Sequence, residues 1–465
     1  MQLHWHRRDL RVADNRALAT AARSGEVLPV FVFDPAVLAH SSPVRTAFLL
    51  DALASLRERY RAHGSDLLVV RGDPREQLVR LAREHDATLV VWNRGYSGLA
   101  QTRDAAVAMA LSEASVDHES YEDALLHEPG TILTNDGTHY AVYSYFWKKW
   151  RDRAKDDPYE SPPSDALAAV AGDPLPSIEE FHESPPEASV PAAGTRAARD
   201  LLDAFCAGPI RRYEADRDYP GREATSRLSP HLKFGTIGVR EVWAATEAAK
   251  AELDDAERDS VETFQSQLAW REFYAHVLFF RPDVVSENYR EYEQTIQWRE
   301  DPEALRAWKA GETGYPIVDA GMRQLRTEGF VHNRVRMVVA SFLTRDLLLD
   351  WRVGYGWFRD RLVDHDAAND SGGWQWAAGT GTDAQPYFRI FNPTTQGKRF
   401  DPDAEYVRAH VPELRDATAD EIHAWPELAP DERERVAPDY PAPIVDHSDR
   451  RERAIAMFEA ARGTD

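Results

Sequence analysis

The feature that most constrains this chain is a change of period part-way along it. Up to Tyr121 short apolar runs alternate with amphipathic stretches, and beyond about Thr195 the strand signal is gone. Strands are expected at Leu3–Trp5, Val27–Phe33, Leu67–Val70, Thr88–Trp92 and Val116–Tyr121. Helices are expected between them: one capped by Asp14 and reaching Ser24, then Pro43 to about His63, one from Pro74, and Leu99–Glu113. Short apolar strands spaced by helices imply a parallel sheet covered on both faces, a doubly wound α/β domain. Ligands of such sheets sit beyond the carboxyl ends of the strands. Those ends carry His6-Arg7-Arg8, Asp34-Pro35, Arg71-Gly72-Asp73 and Asn93-Arg94-Gly95. No GxGxxG follows the first strand and no GxxxxGK[ST] occurs, which argues against a P-loop NTPase.

Eight prolines fall between Pro158 and Pro191, which reads as a long connector wrapping over the surface. The remainder is helical by pattern: 197–206, 239–254, 261–280, 302–309, 317–328, 334–349 and 357–360. The expected organisation is an α/β domain over 1–130, a linker over 131–195 and an all-α domain over 196–465. A chain of 465 residues is too long for one ordinary core.

Cys206 is the sole cysteine, so neither an intramolecular disulfide nor a cysteine metal cluster is available. No apolar run approaches the ~20 residues a membrane helix needs. The N-terminus enters a strand at once, without a secretory signal. A cytoplasmic protein without membrane or metal is expected. The net charge of −22 ordinarily argues against DNA, because phosphate contacts dominate that affinity. Acids are spread along the whole chain, however, as in salt-adapted organisms. Against that background, 323–361 holds eight arginines and only four acids. It is either a basic face for nucleic acid or a helical face paired to nearby acids.

The densest stretch runs from Asp364 to Asp383. It sets Trp374, Trp376, four acids, two amides and four glycines within twenty residues. Small residues let a planar ligand approach the backbone, and carboxylates and amides can bond a ribose or a ring edge. A tight turn with two core tryptophans is the plainer reading. Upstream, Thr225-Ser226-Arg227-Leu228-Ser229 offers hydroxyls, a guanidinium and amides near a helix start, which suits a pyrophosphate or a simple N-cap.

Further motifs occur in order: Tyr213-Glu214-Ala215-Asp216-Arg217-Asp218-Tyr219-Pro220, Leu268-Ala269-Trp270-Arg271-Glu272-Phe273-Tyr274, Thr313-Gly314-Tyr315-Pro316-Ile317-Val318-Asp319, Val331-His332-Asn333-Arg334-Val335-Arg336-Met337 and Arg389-Ile390-Phe391-Asn392-Pro393-Thr394-Thr395-Gln396. Trp5-His6-Arg7-Arg8-Asp9-Leu10-Arg11 adds an N-terminal one. Together they resemble the class I cyclobutane pyrimidine dimer photolyases of the photolyase/cryptochrome family, from Leu3 to about Asp446. The resemblance implies an FAD enzyme that repairs UV-damaged DNA with blue light, acting as a monomer. It implies that Tyr213, Thr225, Ser226, Arg227, Leu228, Ser229, Phe264, Arg271, Asp364, His365 and Asp366 bind FAD. It gives Gln267, Trp270, Arg271, Tyr274, Asn333, Arg334, Met337 and Gln396 to the lesion and its DNA. Trp374, Trp351 and Trp298 match the family's electron-transfer chain. A damaged pair stacks weakly and is extruded for a few kcal/mol, while stacking on an aromatic such as Trp270 returns roughly 1–3 kcal/mol.

Three positions depart from the pattern. Gln267 stands where dimer photolyases carry Glu, and glutamine keeps reach and a donor but neither charge nor a transferable proton. Glutamine there is familiar from (6-4) photolyases. Asp370 occupies the place of an Asn facing the flavin's redox-active nitrogen. Plant cryptochromes carry Asp there, and an ionised Asp repels an anionic reduced flavin. Asn369 substitutes if the loop shifts by one residue. The antenna region is loose: Asp34, Arg45 and Asn93 suit an 8-hydroxy-5-deazaflavin somewhat better than methenyltetrahydrofolate. A cryptochrome-type receptor and (6-4) repair are the alternatives. A nucleotide-binding module joined to an unrelated helical partner is the non-flavin reading.

Overall fold

The computed structural model describes residues 1–463. They form two compact units, one of Met1–Pro186, Val190–Glu214 and Thr225–Pro282, the other of Glu187–Ser189, Ala215–Ala224 and the chain from Asp283 onward. The first unit is built on a five-stranded, wholly parallel sheet of order β3-β2-β1-β4-β5. The strands are β1 (Gln2–His6), β2 (Val27–Phe33), β3 (Leu68–Arg71), β4 (Leu89–Asn93) and β5 (Asp117–Tyr121). Every residue of β1 and β2 is buried, as a sheet covered on both faces requires. Edge strand β5 is Asp-His-Glu-Ser-Tyr, and its charge discourages further strand pairing.

The α/β expectation therefore holds, with one local correction. Asn15, not Asp14, caps helix Arg16–Ser24, its side chain accepting from the Leu18 amide at 3.1 Å. Asp14 adopts a left-handed φ of 51° and serves the buried Arg240, which donates to it at 2.6 Å. The connector does wrap the sheet layer. The Ser65 hydroxyl donates to the Ala168 carbonyl, Leu167 bridges to Val27, and Phe181 packs on Phe33. It also contains helix Tyr143–Arg151. Helices Thr195–Ala207, Val239–Ala251 and the 26-residue Asp255–Phe280 complete this unit.

The second unit is helical around one core of Trp308, Val318, Leu325, Val339, Phe342, Leu343, Trp351 and their neighbours. Helix Pro316–Glu328 packs closely on helix Asn333–Ser341, since a Cβ at Gly321 would lie 2.4 Å from Val335. Two sequence expectations change here. The helix expected over 334–349 ends at Ser341 and continues as a π turn over Phe342–Asp346, the kind of insertion that often re-aims side chains near functional sites. The short 357–360 stretch is the end of a full helix, Trp351–Arg361, which Asp350 caps through the Arg352 amide. The glycine-rich stretch is not a turn. It forms helix Ala367–Ala378, closed by Gly379 at φ 74°.

Candidate functional site

In the first unit, helix Asp255–Phe280 carries Phe264, Gln267, Trp270, Arg271 and Tyr274. Trp270 is partly exposed, and Tyr143 stacks on one face of its indole with centroids 3.7 Å apart and planes 10° from parallel. Tyr274 lies tilted beside it at 5.6 Å. One turn earlier, the Gln267 amide donates to the Thr263 carbonyl at 3.0 Å and the Ser266 hydroxyl at 2.8 Å. Arg271 donates to the carbonyls of Ala124 and Leu232 at 2.8 and 3.3 Å, so it ties the 122–128 segment to this helix.

Glu272, quoted in the same motif but given no role there, also holds that segment. It accepts from the amides of Leu126 and His127 and from the Trp150 indole. Burial outweighs those bonds and pushes its pKa up to about 7. Glu122 in the same segment is pushed by burial to about 8, despite the Tyr96 hydroxyl donating to it.

Phe264 and Tyr213 are buried and pack edge to face at 5.4 Å, joined by Phe205. Thr225 through Leu228 lead into helix Ser229–Phe234. Leu228 is buried, whereas Thr225, Ser226, Arg227 and Ser229 remain at least partly exposed. Arg227 takes φ 52°, a conformation a bulky residue adopts only where its surroundings impose it.

In the second unit, charge converges at the start of helix Ala367–Ala378. Arg336 donates to both Asp364 oxygens at 2.8 and 3.0 Å and lies 3.8 Å from Asp370. The His365 ring lies 2.5 Å from the other Asp370 oxygen. Asp366 caps the helix through the Ala368 and Asn369 amides, and the Asn369 side chain donates back to it at 3.0 Å. Asn369 is thus turned to its own cap, while Asp370 sits between Arg336 and the His365 ring. Burial opposes the Arg336 charge, but Asp364 and Asp370 outweigh it and raise its pKa. Arg336 stood in the quoted Val331–Met337 motif, where it is the second of two arginines spaced two apart. Its role was not legible without the fold.

Asn333 and Met337 lie one turn apart on a single helix, the Asn amide 3.8 Å from the Met sulfur. Arg334 donates to Asp218 at 2.6 Å and lies over the Phe400 ring at 4.2 Å. Gln396 sits in helix Pro393–Phe400, and its buried side-chain oxygen has no hydrogen-bond partner. The arginines of 323–361 are largely paired: Arg323 with Glu413, Arg334 with Asp218, Arg336 with Asp364, Arg352 with Asp350 and Arg359 with Asp360. The segment is thus mostly the paired helical face rather than a free basic one.

Trp374 is buried against Gly354, where a Cβ would lie 2.2 Å from the indole, and meets Phe358 edge to face at 5.2 Å. Trp351 lies one turn before Gly354 on that same helical face. Trp298 packs on Phe458 at 5.8 Å. Trp308, a fourth indole the sequence did not single out, meets Trp374 at 6.1 Å.

The residues present fit a flat, anionic dinucleotide in two respects. Gly373 lies inside a helix, where glycine costs roughly 1 kcal/mol relative to alanine, yet nothing lies within 4 Å of where its Cβ would be. The Arg336 cluster offers a guanidinium and several acceptors at that helix's start. The antenna candidates fare differently. The Asn93 amide donates to Asp9 at 2.6 Å and to Asn15 at 2.8 Å, and its oxygen accepts from the Ala17 amide, so it is spent inside the fold. Among the described residues His4, His6 and Asp9 cluster closely enough to suggest a cation. The Asp9 carboxylate accepts there from Asn93, Asn15 and the Arg7 amide, and His6 bridges the Asp9 carbonyl and the Tyr60 hydroxyl. That cluster is a hydrogen-bond hub at the carboxyl end of β1.

Residues 2–165 match the family described as DNA photolyase, and residues 264–460 match the FAD binding domain of DNA photolyase. A deoxyribodipyrimidine photo-lyase of Halobacterium salinarum is 62% identical over 479 aligned residues, covering all of both chains. The chain belongs to the DNA photolyase family. The crystal structure of a bacterial class III photolyase from Agrobacterium tumefaciens matches with TM-score 0.92 at 38% identity, covering 100% of this chain and 98% of that one. An archaeal photolyase from Sulfolobus tokodaii, crystallised with two FAD molecules, matches with TM-score 0.84 at 30% identity, covering 99% of each. The fold class and the FAD-binding domain expected from the motifs are thereby established, and the Halobacterium relative agrees with the salt-adapted source that the charge implied. Among the described residues no helix is long and apolar enough to cross a membrane.

Proposed function

We propose that this chain is a light-driven deoxyribodipyrimidine photo-lyase that repairs cyclobutane pyrimidine dimers in DNA. The observation that carries the reading is full-length identity of 62% to a photo-lyase of that name, together with Trp270 partly exposed on a helix that also presents Gln267 and Tyr274. Assignment to class I rests on the motifs in register. Bound reduced FAD supplies the electron that, after blue-light absorption, opens the cyclobutane ring and is then returned.

The chain's own residues do the rest. Arg336, Asp364, Asp366 and Asp370 hold and orient the flavin and adenosine parts, with His365 fixing Asp370. Thr225 to Ser229 take the phosphates, and Tyr213, Phe264 and Arg271 shape their surroundings. Trp270 stacks on the extruded dimer, and Gln267, Asn333 and Met337 line it. Arg334, Tyr274 and Gln396 contact the flanking DNA. Trp374, Trp351 and Trp298 relay electrons inward to keep the cofactor reduced. No net redox change accompanies repair, so positioning and electrostatics carry the catalysis. Asp370 lies 3.8 Å from Arg336 and 2.5 Å from the His365 ring. A second chromophore is proposed at the sheet's carboxyl edge near Asp34 and Arg45, a deazaflavin in preference to a folate. The protein acts as a cytoplasmic monomer.

The test is illumination of purified protein with oligonucleotides carrying either one thymine dimer or one (6-4) product, following recovery of pyrimidine absorbance. Recovery with the dimer alone is expected. Recovery only with the (6-4) product, or with neither, contradicts the assignment.

A further inference from the structure

Trp270 is one of two partners in a full aromatic stack, and its partner lies outside every motif that marked the site. Tyr143 opens helix Tyr143–Arg151 and lies on the Trp270 indole at 3.7 Å, 10° from parallel. Its hydroxyl donates to the Ser266 carbonyl at 2.6 Å, one turn before Trp270. Phe273 meets both rings edge-on, at 5.9 Å from Tyr143 and 5.5 Å from Trp270. Phe146 and Trp150, further along the Tyr143 helix, are buried, so that helix is itself fixed.

We infer that Tyr143 is a positioning residue: it backs the Trp270 indole, locks its tilt and leaves it one open face on which a pyrimidine dimer stacks. This rests on the assignment of Trp270 to the lesion. A lone tryptophan on a helix surface samples several rotamers, and ordering it on binding costs affinity. A backing ring held by a hydrogen bond and an edge contact to Phe273 meets that cost during folding. The same stack makes a two-ring slab, and an aromatic platform is most effective when it is rigid and shielded from water on its far side. Tyr143 touches neither the dimer nor the cofactor in this scheme. Its removal therefore acts on lesion affinity and not on the chemical step.

The experiment uses the FAD-loaded protein and a single-dimer oligonucleotide. Parent, Tyr143→Phe, Tyr143→Leu, Tyr143→Met and Trp270→Ala are compared for dissociation constant, for repair rate at saturating DNA and for flavin content. Tyr143→Leu is expected to weaken dimer binding about ten-fold, with the saturated rate and flavin content unchanged, whereas Tyr143→Phe stays within about three-fold of the parent because the stack survives. Tyr143→Met decides by the same readings if the Leu variant does not fold. Dimer affinity unchanged in the Leu or Met variant, while Trp270→Ala loses it, overturns the role of Tyr143 alone. Dimer affinity unchanged in Trp270→Ala overturns the lesion assignment and this inference with it. A saturated rate that falls as steeply as affinity also overturns it.

Discussion

Two clusters of opposed charge, one in each unit, differ in balance and in access to water. In the first unit Arg11 and Arg240 face Asp14 and Asp123, with side chains no more than 4% exposed and every charge matched. In the second, Arg336 faces Asp364 and Asp370, with His365 alongside. Arg336 is 21% exposed and acid outnumbers permanent cation. The balanced, sealed cluster is a structural device that joins the sheet layer to helix Val239–Ala251 within one unit. The lopsided, open one has hydrogen-bonding capacity left for a ligand. On the reading proposed above, fold-making and ligand-holding charge are told apart by balance and by the exposure of the arginine, not by residue type.

The sharpest way to break that contrast is to remove one cation from each cluster. Arg240→Met strands the buried Asp14 and leaves Asp123 with Arg11 alone, and the expected loss is about 3–5 kcal/mol of unfolding free energy, read from denaturant midpoints. A loss below about 1 kcal/mol would show the sealed cluster to be no more structural than the open one.

A carboxylate that is sealed but lacks a cation sharpens the comparison. Glu272 is fully buried with a folded pKa of about 7, above the ordinary value of 4.5. A raised acid binds its proton more tightly in the native state, so stability is full below the unfolded value and declines as pH rises through the folded one. The expected decline between about pH 5 and 8 is on the order of 1–3 kcal/mol. Glu272→Gln should flatten that part of the profile, leaving the share due to Glu122. An unchanged slope would mean that the three N–H donors hold Glu272 ionised throughout.

Arg336→Met should show the smallest effect on stability, about 1–2 kcal/mol, because Asp370 is 11% exposed and keeps His365 as a partner, although Asp364 is only 4% exposed. Its effect on flavin should be large, with the purified variant largely colourless. Full retention of flavin at 450 nm would remove the open cluster from cofactor binding.

Much of this was legible in the sequence because period and motif report local physics. The apolar runs at Val27–Phe33 and Thr88–Trp92 became buried strands because only covered parallel strands tolerate apolar residues on both faces. The stretch around Asp370 and Trp374 was located by composition, yet its helical state was missed, since Ser371, Gly372 and Gly373 weigh against a helix on propensity alone. Asp14 was misread as a cap because its neighbour Asn15 has the same capping chemistry and only the fold shows which φ each adopts. Tyr143, Glu272 and Trp308 escaped because their partners lie far off in sequence: 127 residues for Tyr143 and Trp270, and 66 for Trp308 and Trp374. Periodicity carries no information about such pairs. Pairing of the 323–361 arginines was one of the two readings the sequence left open, but the distant acids Asp218 and Glu413 that supply part of it were not legible.

The most direct measurement is single-turnover repair of a thymine-dimer oligonucleotide under blue light and in darkness, at low and molar salt. The account predicts recovery of pyrimidine absorbance in the illuminated sample only. Flavin-loaded protein that binds the dimer yet leaves it intact in the light would contradict it.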